Sequence, residues 1–71
     1  MLDNSLRSLS RKKAWQQAVS FSASFLVRDE GPGAHLAARI FAREASAGGE
    51  MRRAHFWRSV ASEIDRRSNE F

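Results

Sequence analysis

Residues 33–64 read GAHLAARIFAREASAGGEMRRAHFWRSVASEI, and this stretch decides the fold. Apolar residues recur every three or four positions on both sides of Gly48-Gly49, the spacing of two amphipathic helices joined by a tight turn. Glycine tolerates the left-handed backbone common just past a helix C-terminus, so the pair marks a stop. Glu50 favours the positive end of the following helix dipole, and Arg66 and Arg67 favour its negative end. We therefore read one helix over 33–47, with Ala34, Leu36, Ala37, Ile40, Phe41 and Ala45 inward. Another spans 50–67, with Ala54, Trp57, Val60, Ala61 and Ile64 inward.

Working back, residues 10–28 form an earlier helix. Ala14, Trp15, Ala18, Val19, Phe21, Ser22, Phe25 and Leu26 fall on one broad arc, opposite Lys12, Lys13, Gln16, Gln17, Ser20 and Ser24. Asp29-Glu30-Gly31-Pro32-Gly33 ends it. Proline lacks a backbone N–H and suits the start of the next helix. Leu2, Leu6 and Leu9 suggest a short helical turn or a frayed arm over 1–9, Ser8 or Ser10 then supplies the N-cap of the helix over 10–28, and residues 68–71 fray. No alternating strand pattern is present. The expected architecture is all-α: a compact three-helix domain over 10–67 with an N-terminal helical arm. Its expected core is Trp15, Val19, Phe25, Leu26, Ile40, Phe41, Trp57, Val60 and Ile64.

The bulk composition narrows the function. Seventy-one residues allow one domain, whose single core supplies only ~3–5 kcal/mol of net stability. There is no cysteine, which excludes disulfides and thiolate metal sites. The two histidines, His35 and His55, have no zinc-ligand spacing. No cofactor is therefore expected. Extra stability must come from helix packing, a protein partner or homo-oligomerisation. No run approaches the ~18 apolar residues of a membrane span. The Arg- and Ser-rich N-terminus is superficially like a targeting peptide. Gln16, Gln17, Ser20, Ser22 and Ser24 interrupt the apolar run that a secretory signal needs, and removal of a transit peptide would take Trp15 with it. The expected location is cytoplasmic.

The net charge is +4, from 12 basic and 8 acidic residues. No acidic residue lies between Asp3 and Asp29, while Arg7, Arg11, Lys12, Lys13 and Arg28 are basic. His35, Arg39 and Arg43 follow at i, i+4 and i+8 along one side of the second helix. Together Arg7, Arg11, Lys12, Lys13, His35, Arg39 and Arg43 make a surface for phosphate or for an acidic protein, or else an ordinary solvated face. A helix-turn-helix reading puts Arg52, His55 and Arg58 on a recognition helix, but the turn is generic.

Glu44 intrudes on the apolar arc of the second helix and Arg53 on that of the third, as Arg11 does on the first. A carboxylate there costs stability unless paired. Glu44 and Arg53 are therefore candidates for a buried ion pair at the bundle rim. The alternatives are a functional acid, or a helix rotated so that Glu44 faces water. Leu9 and Phe56 are candidate apolar interface residues, with Val27 on the polar side of the first helix. The other aromatics belong to the core. Phosphate-loop, nucleophile-elbow and metal motifs are missing, so no enzymatic activity is expected.

The chain also resembles a group of small uncharacterised bacterial all-helical proteins. The matching pieces are Trp15-Gln16-Gln17-Ala18, Gly33-Ala34, Ala37-Ala38-Arg39-Ile40, Gly49-Glu50 and Trp57-Arg58-Ser59-Val60-Ala61, within residues 14–64. The longer basic N-terminus and Pro32 depart from the group's pattern. The resemblance implies a helical fold and carries no function. The expected function is a non-enzymatic regulatory module that binds an acidic macromolecular partner through a basic helical surface. The alternative is nucleic-acid binding, DNA before RNA, through the basic N-terminal half and the second helix.

Overall fold

Two glycines with positive φ, Gly31 at +55° and Gly49 at +78°, set where the chain reverses. In the computed structural model, which describes the backbone of residues 2–69 and the side chains of 11–69, helix α1 spans Leu2–Glu30. A 3-10 turn, Gly31–Gly33, holds Pro32 at its start and leads into helix α2, Ala34–Ala47. Helix α3 spans Met51–Asn69. There is no strand among the described residues. The backbone of residues 2–9, read above as a separate arm, continues α1 without a break.

The α2–α3 turn closes its own hydrogen bonds. The Glu50 N–H donates to the Ala45 carbonyl at 2.8 Å, and the Gly49 N–H to that of Ser46 at 3.0 Å. These are the paired 6→1 and 5→2 bonds of a Schellman cap, with the left-handed residue at Gly49. The Glu50 carbonyl then accepts from Ala54 N–H at 2.9 Å and starts α3. So short a connection makes α2 and α3 antiparallel neighbours.

They approach on alanine. Ala34, Ala38, Ala42 and Ala45 form one stripe of α2, all buried, against Ala54, Val60, Ala61 and Ile64 of α3. From α1, Val19, Ala23 and Leu26 join this core, and Ala37, Phe56 and Trp57 pack on its edge. Seven of the eleven buried apolar residues are alanine. Small side chains let helix axes come close but remove little apolar area each, at ~25 cal/mol per Å².

The all-helical expectation holds, and the expected core holds only in part. Val19, Leu26, Val60 and Ile64 are buried, but Trp15, Phe25, Ile40 and Phe41 are all exposed, and Trp57 is half-buried. The helix α2 is turned about its axis relative to the expected wheel. Ala38 faces in, and Leu36 and Ile40 face out.

A polar clamp ties α1 to α3. The Arg67 guanidinium donates to Ser24 Oγ at 2.9 Å, Ser20 Oγ at 2.8 Å and the Ser20 carbonyl at 3.2 Å. Its Nε donates to Glu63 Oε2 at 2.8 Å, which fixes the fork. The whole measures 45 × 33 × 18 Å, with α1 setting the long dimension at about 43 Å.

Candidate binding surfaces

Arg39 and Arg43 sit one turn apart on α2, and Arg58 reaches them from α3. The three line one open cleft of about 450 Å³ with Ser46, over a floor of Ala42 and Ala47. Small residues on α2 give the cleft its depth, because a larger side chain at 42 or 47 would fill it. No carboxylate lines it. Glu50 pairs with Arg53, and Glu63 with Arg66 and Arg67. A guanidinium presents five donors in a fixed fork, so three around one opening suit a carboxylate or phosphate.

A second concavity is apolar. Phe21, Phe25 and Leu26 of α1 face Phe41 of α2 and Trp57 of α3 across a groove of about 480 Å³. Asp29 and Glu30 close one end. The rings form a connected series. Phe41 and Trp57 lie with centroids 4.8 Å apart, Phe56 meets Trp57 edge-on at 5.3 Å, and Trp15 meets Phe56 edge-on at 5.4 Å. Such contacts fix ring orientation and add ~0.5–1.5 kcal/mol per pair beyond area. Trp15 also stacks on His55, 5.4 Å away and 20° from parallel.

Several residues singled out from sequence land differently. Glu44 is exposed, so the apolar-arc reading fails and the rotated-helix reading holds. Arg53 is also exposed, its side chain 66% accessible, and pairs with Glu50 at 3.2 Å rather than with Glu44. There is no buried charged residue among those described. Arg11 does not intrude on the core but is exposed. Phe56 is half-buried between the two tryptophans, so it is a packing residue and not a protruding anchor. Val27 is exposed, on the polar side of α1.

Of the basic set, Lys12 and Lys13 are exposed on α1 like Arg11. Arg39 and Arg43 come together in the cleft, whereas His35 is half-buried and outside its lining. The Arg7 and Leu9 side chains lie outside the described residues. Sequence reasoning missed two things. Arg58 completes the cleft, which needed the antiparallel α2–α3 register. Phe21 and Phe25 are the protruding aromatics, which needed the rotation of α1. One available signal for the latter was the four-residue spacing of the two phenylalanines.

Glu63 has a clear titration shift. The hydrogen bonds from Arg66 and then Arg67 hold its carboxyl below the usual carboxylate range, against a smaller opposing effect of burial. No cluster of three His, Cys, Asp or Glu among the described residues could hold a metal ion. No helix among them is long and apolar enough to cross a membrane. Compared with known protein families, curated proteins and solved structures, the chain matches none.

Proposed function

We propose that this chain is a small non-enzymatic three-helix interaction module that binds an acidic segment of a protein partner and modulates it. The observation that carries this reading is the cleft where Arg39, Arg43 and Arg58 converge with no carboxylate in its lining. Three guanidiniums held together repel one another in the free protein, and an incoming carboxylate relieves that repulsion while gaining forked hydrogen bonds. Charge-assisted bonds of this kind contribute ~1.5–3 kcal/mol each where water is partly excluded. The chemistry of the cleft favours recognition over catalysis. Ser46 is the hydroxyl there, and no base lines the cleft beside it.

Nucleic-acid binding is the second reading. The same cleft suits phosphate, and Arg11, Lys12 and Lys13 are exposed on α1. Against a helix-turn-helix mode, His55 is stacked on Trp15, so α1 covers part of the would-be recognition helix.

A tagged pull-down from native lysate, with and without nuclease, tests the choice. Protein partners that survive nuclease and are lost with the double variant Arg39→Glu/Arg43→Glu support the first reading. Recovery of nucleic acid, with proteins lost on digestion, transfers the site to the second. Binding that survives both this variant and Lys12→Glu/Lys13→Glu overturns the electrostatic basis of each.

A further inference from the structure

Helix α1 carries two apolar stripes. Trp15, Val19, Ala23 and Leu26 turn towards α2 and α3, the last three buried and Trp15 against His55 and Phe56. Ala14, Ala18, Phe21 and Phe25, spaced by four, three and four residues, lie on a neighbouring side of the helix. The second stripe is left bare. Phe21 is 75% and Phe25 57% exposed, and Ala14 and Ala18 are exposed beside them. Spacings of four and three are those of a coiled-coil seam.

The stripe is self-complementary. Its N-terminal half is small and its C-terminal half large. A two-fold axis between residues 19 and 20 places residue i opposite residue 39 − i. Ala18 then faces Phe21 of the second copy, and Ala14 faces Phe25. Each ring gets a small residue opposite it, which avoids the ring-on-ring crowding that costs an overpacked interface its stability. The charges agree with this direction. Arg11 flanks the stripe at one end, and Asp29 and Glu30 lie at the other. Antiparallel pairing sets each end beside its opposite. Parallel pairing stacks like on like. One contact opposes the arrangement: Arg28 falls level with the second copy's Arg11, and the neighbouring Asp29 and Glu30 offset that repulsion.

We propose that the protein forms a two-fold symmetric, antiparallel dimer through the Ala14–Ala18–Phe21–Phe25 stripe of α1. The occupant is a second copy rather than an unrelated protein, because a small half that matches a large half under two-fold rotation satisfies the requirement of an isologous interface. Phe21 and Phe25 also line the groove to Phe41 and Trp57, so the dimer covers part of that apolar groove. The Arg39–Arg43–Arg58 cleft contains no α1 residue and is independent of the dimer.

Sedimentation equilibrium of the purified full chain from micromolar to millimolar concentration tests it. The expected result is twice the 8.0 kDa chain mass at the upper end. A monomer mass at every concentration overturns the proposal, while leaving the acidic-partner reading standing. Ala18→Glu puts a carboxylate against the second copy's Phe21 at a site exposed in the single chain. It should weaken dimerisation at least tenfold with unchanged far-UV circular dichroism. A folded Ala18→Glu protein that still dimerises equally well refutes the assigned face. Direction is read from a nitroxide at Arg28→Cys, which labels one position because the chain has no cysteine. The antiparallel register puts the two labels about 25–30 Å apart. A separation near 10 Å means parallel pairing and overturns the register.

Discussion

The α2–α3 seam and the outer side of α1 use the same residue to opposite ends. In the seam, Ala38 and Ala54 are fully buried, and their small size sets how near the two helices can come. On α1, Ala14 and Ala18 face water beside two bare phenylalanines. Alanine on a helix therefore does not mark an inside or an outside. It marks a place where something can approach closely, and in one region that neighbour is already part of the chain. The large side chains follow the complementary rule. Those of α2 rim the alanine seam instead of filling it, with Leu36, Ile40 and Phe41 exposed, and only Val60 and Ile64 of α3 enter it.

The sharpest way to break this contrast is to enlarge an alanine in each region. Ala38→Leu should destabilise the fold by about 1–3 kcal/mol, because the added carbons have no space in the helix–helix contact. For a domain of this size each kcal/mol lowers Tm by roughly 4–8 °C. Ala18→Leu on the outer face should leave the stability of the dilute chain within about 0.5 kcal/mol of the parent value. Equal losses at both sites in a thermal melt would remove the distinction between the regions.

How much of this was legible in the sequence follows from the same contrast. The helices were legible because periodicity and glycine punctuation are local. Gly48-Gly49 stops α2 through a cap whose bonds span only Glu44 to Glu50. The rotation of each helix was not. Helix α2 has two apolar arcs, one of alanines and one holding Leu36, Ile40 and Phe41, and a wheel weighted by side-chain size selects the wrong one. Close approach to α3 selects the other, and that is a property of two helices together. The arginine cleft was half legible for the same reason. Arg39 and Arg43 lie one helical turn apart on a single helix, whereas Arg58 joins them only once α3 is laid alongside.

The clamp between α1 and α3 gives the next largest effect. Arg67→Ala removes four hydrogen bonds, three to Ser20 and Ser24 on α1 and one to Glu63. Its partial exposure keeps the expected loss to about 1–2 kcal/mol. Amide hydrogen exchange should locate it, with α1 losing protection around Ser20–Ser24 more than α2 does. Uniform loss over all three helices would mean that α1 is held by its apolar contacts alone.

Acid should loosen the same clamp from its other end. Glu63 has a lowered pKa in the fold, so its contribution is complete above the unfolded glutamate value of about 4.3. It is lost as pH falls through the still lower folded value. The parent chain should melt higher than Glu63→Gln at pH 7, with the gap closing below about pH 4. A gap that stays constant down to pH 3 would show that the carboxylate charge contributes nothing to stability.

The smallest effect is expected where the sequence pointed most strongly. Glu44 lies near an apolar arc, and a buried pairing with Arg53 would make Glu44→Ala cost over ~1 kcal/mol. In the fold Glu44 is exposed and Arg53 pairs with Glu50, itself an exposed contact worth a few tenths of a kcal/mol. Glu44→Ala should therefore shift stability by less than about 0.5 kcal/mol, as surface changes do. A loss above 1 kcal/mol in a urea titration would mean that α2 turns Glu44 inward. The alanine seam, the exposed Leu36 and Ile40 and the Arg39–Arg43 cleft would then all be misplaced together, because one rotation of α2 sets every one of them.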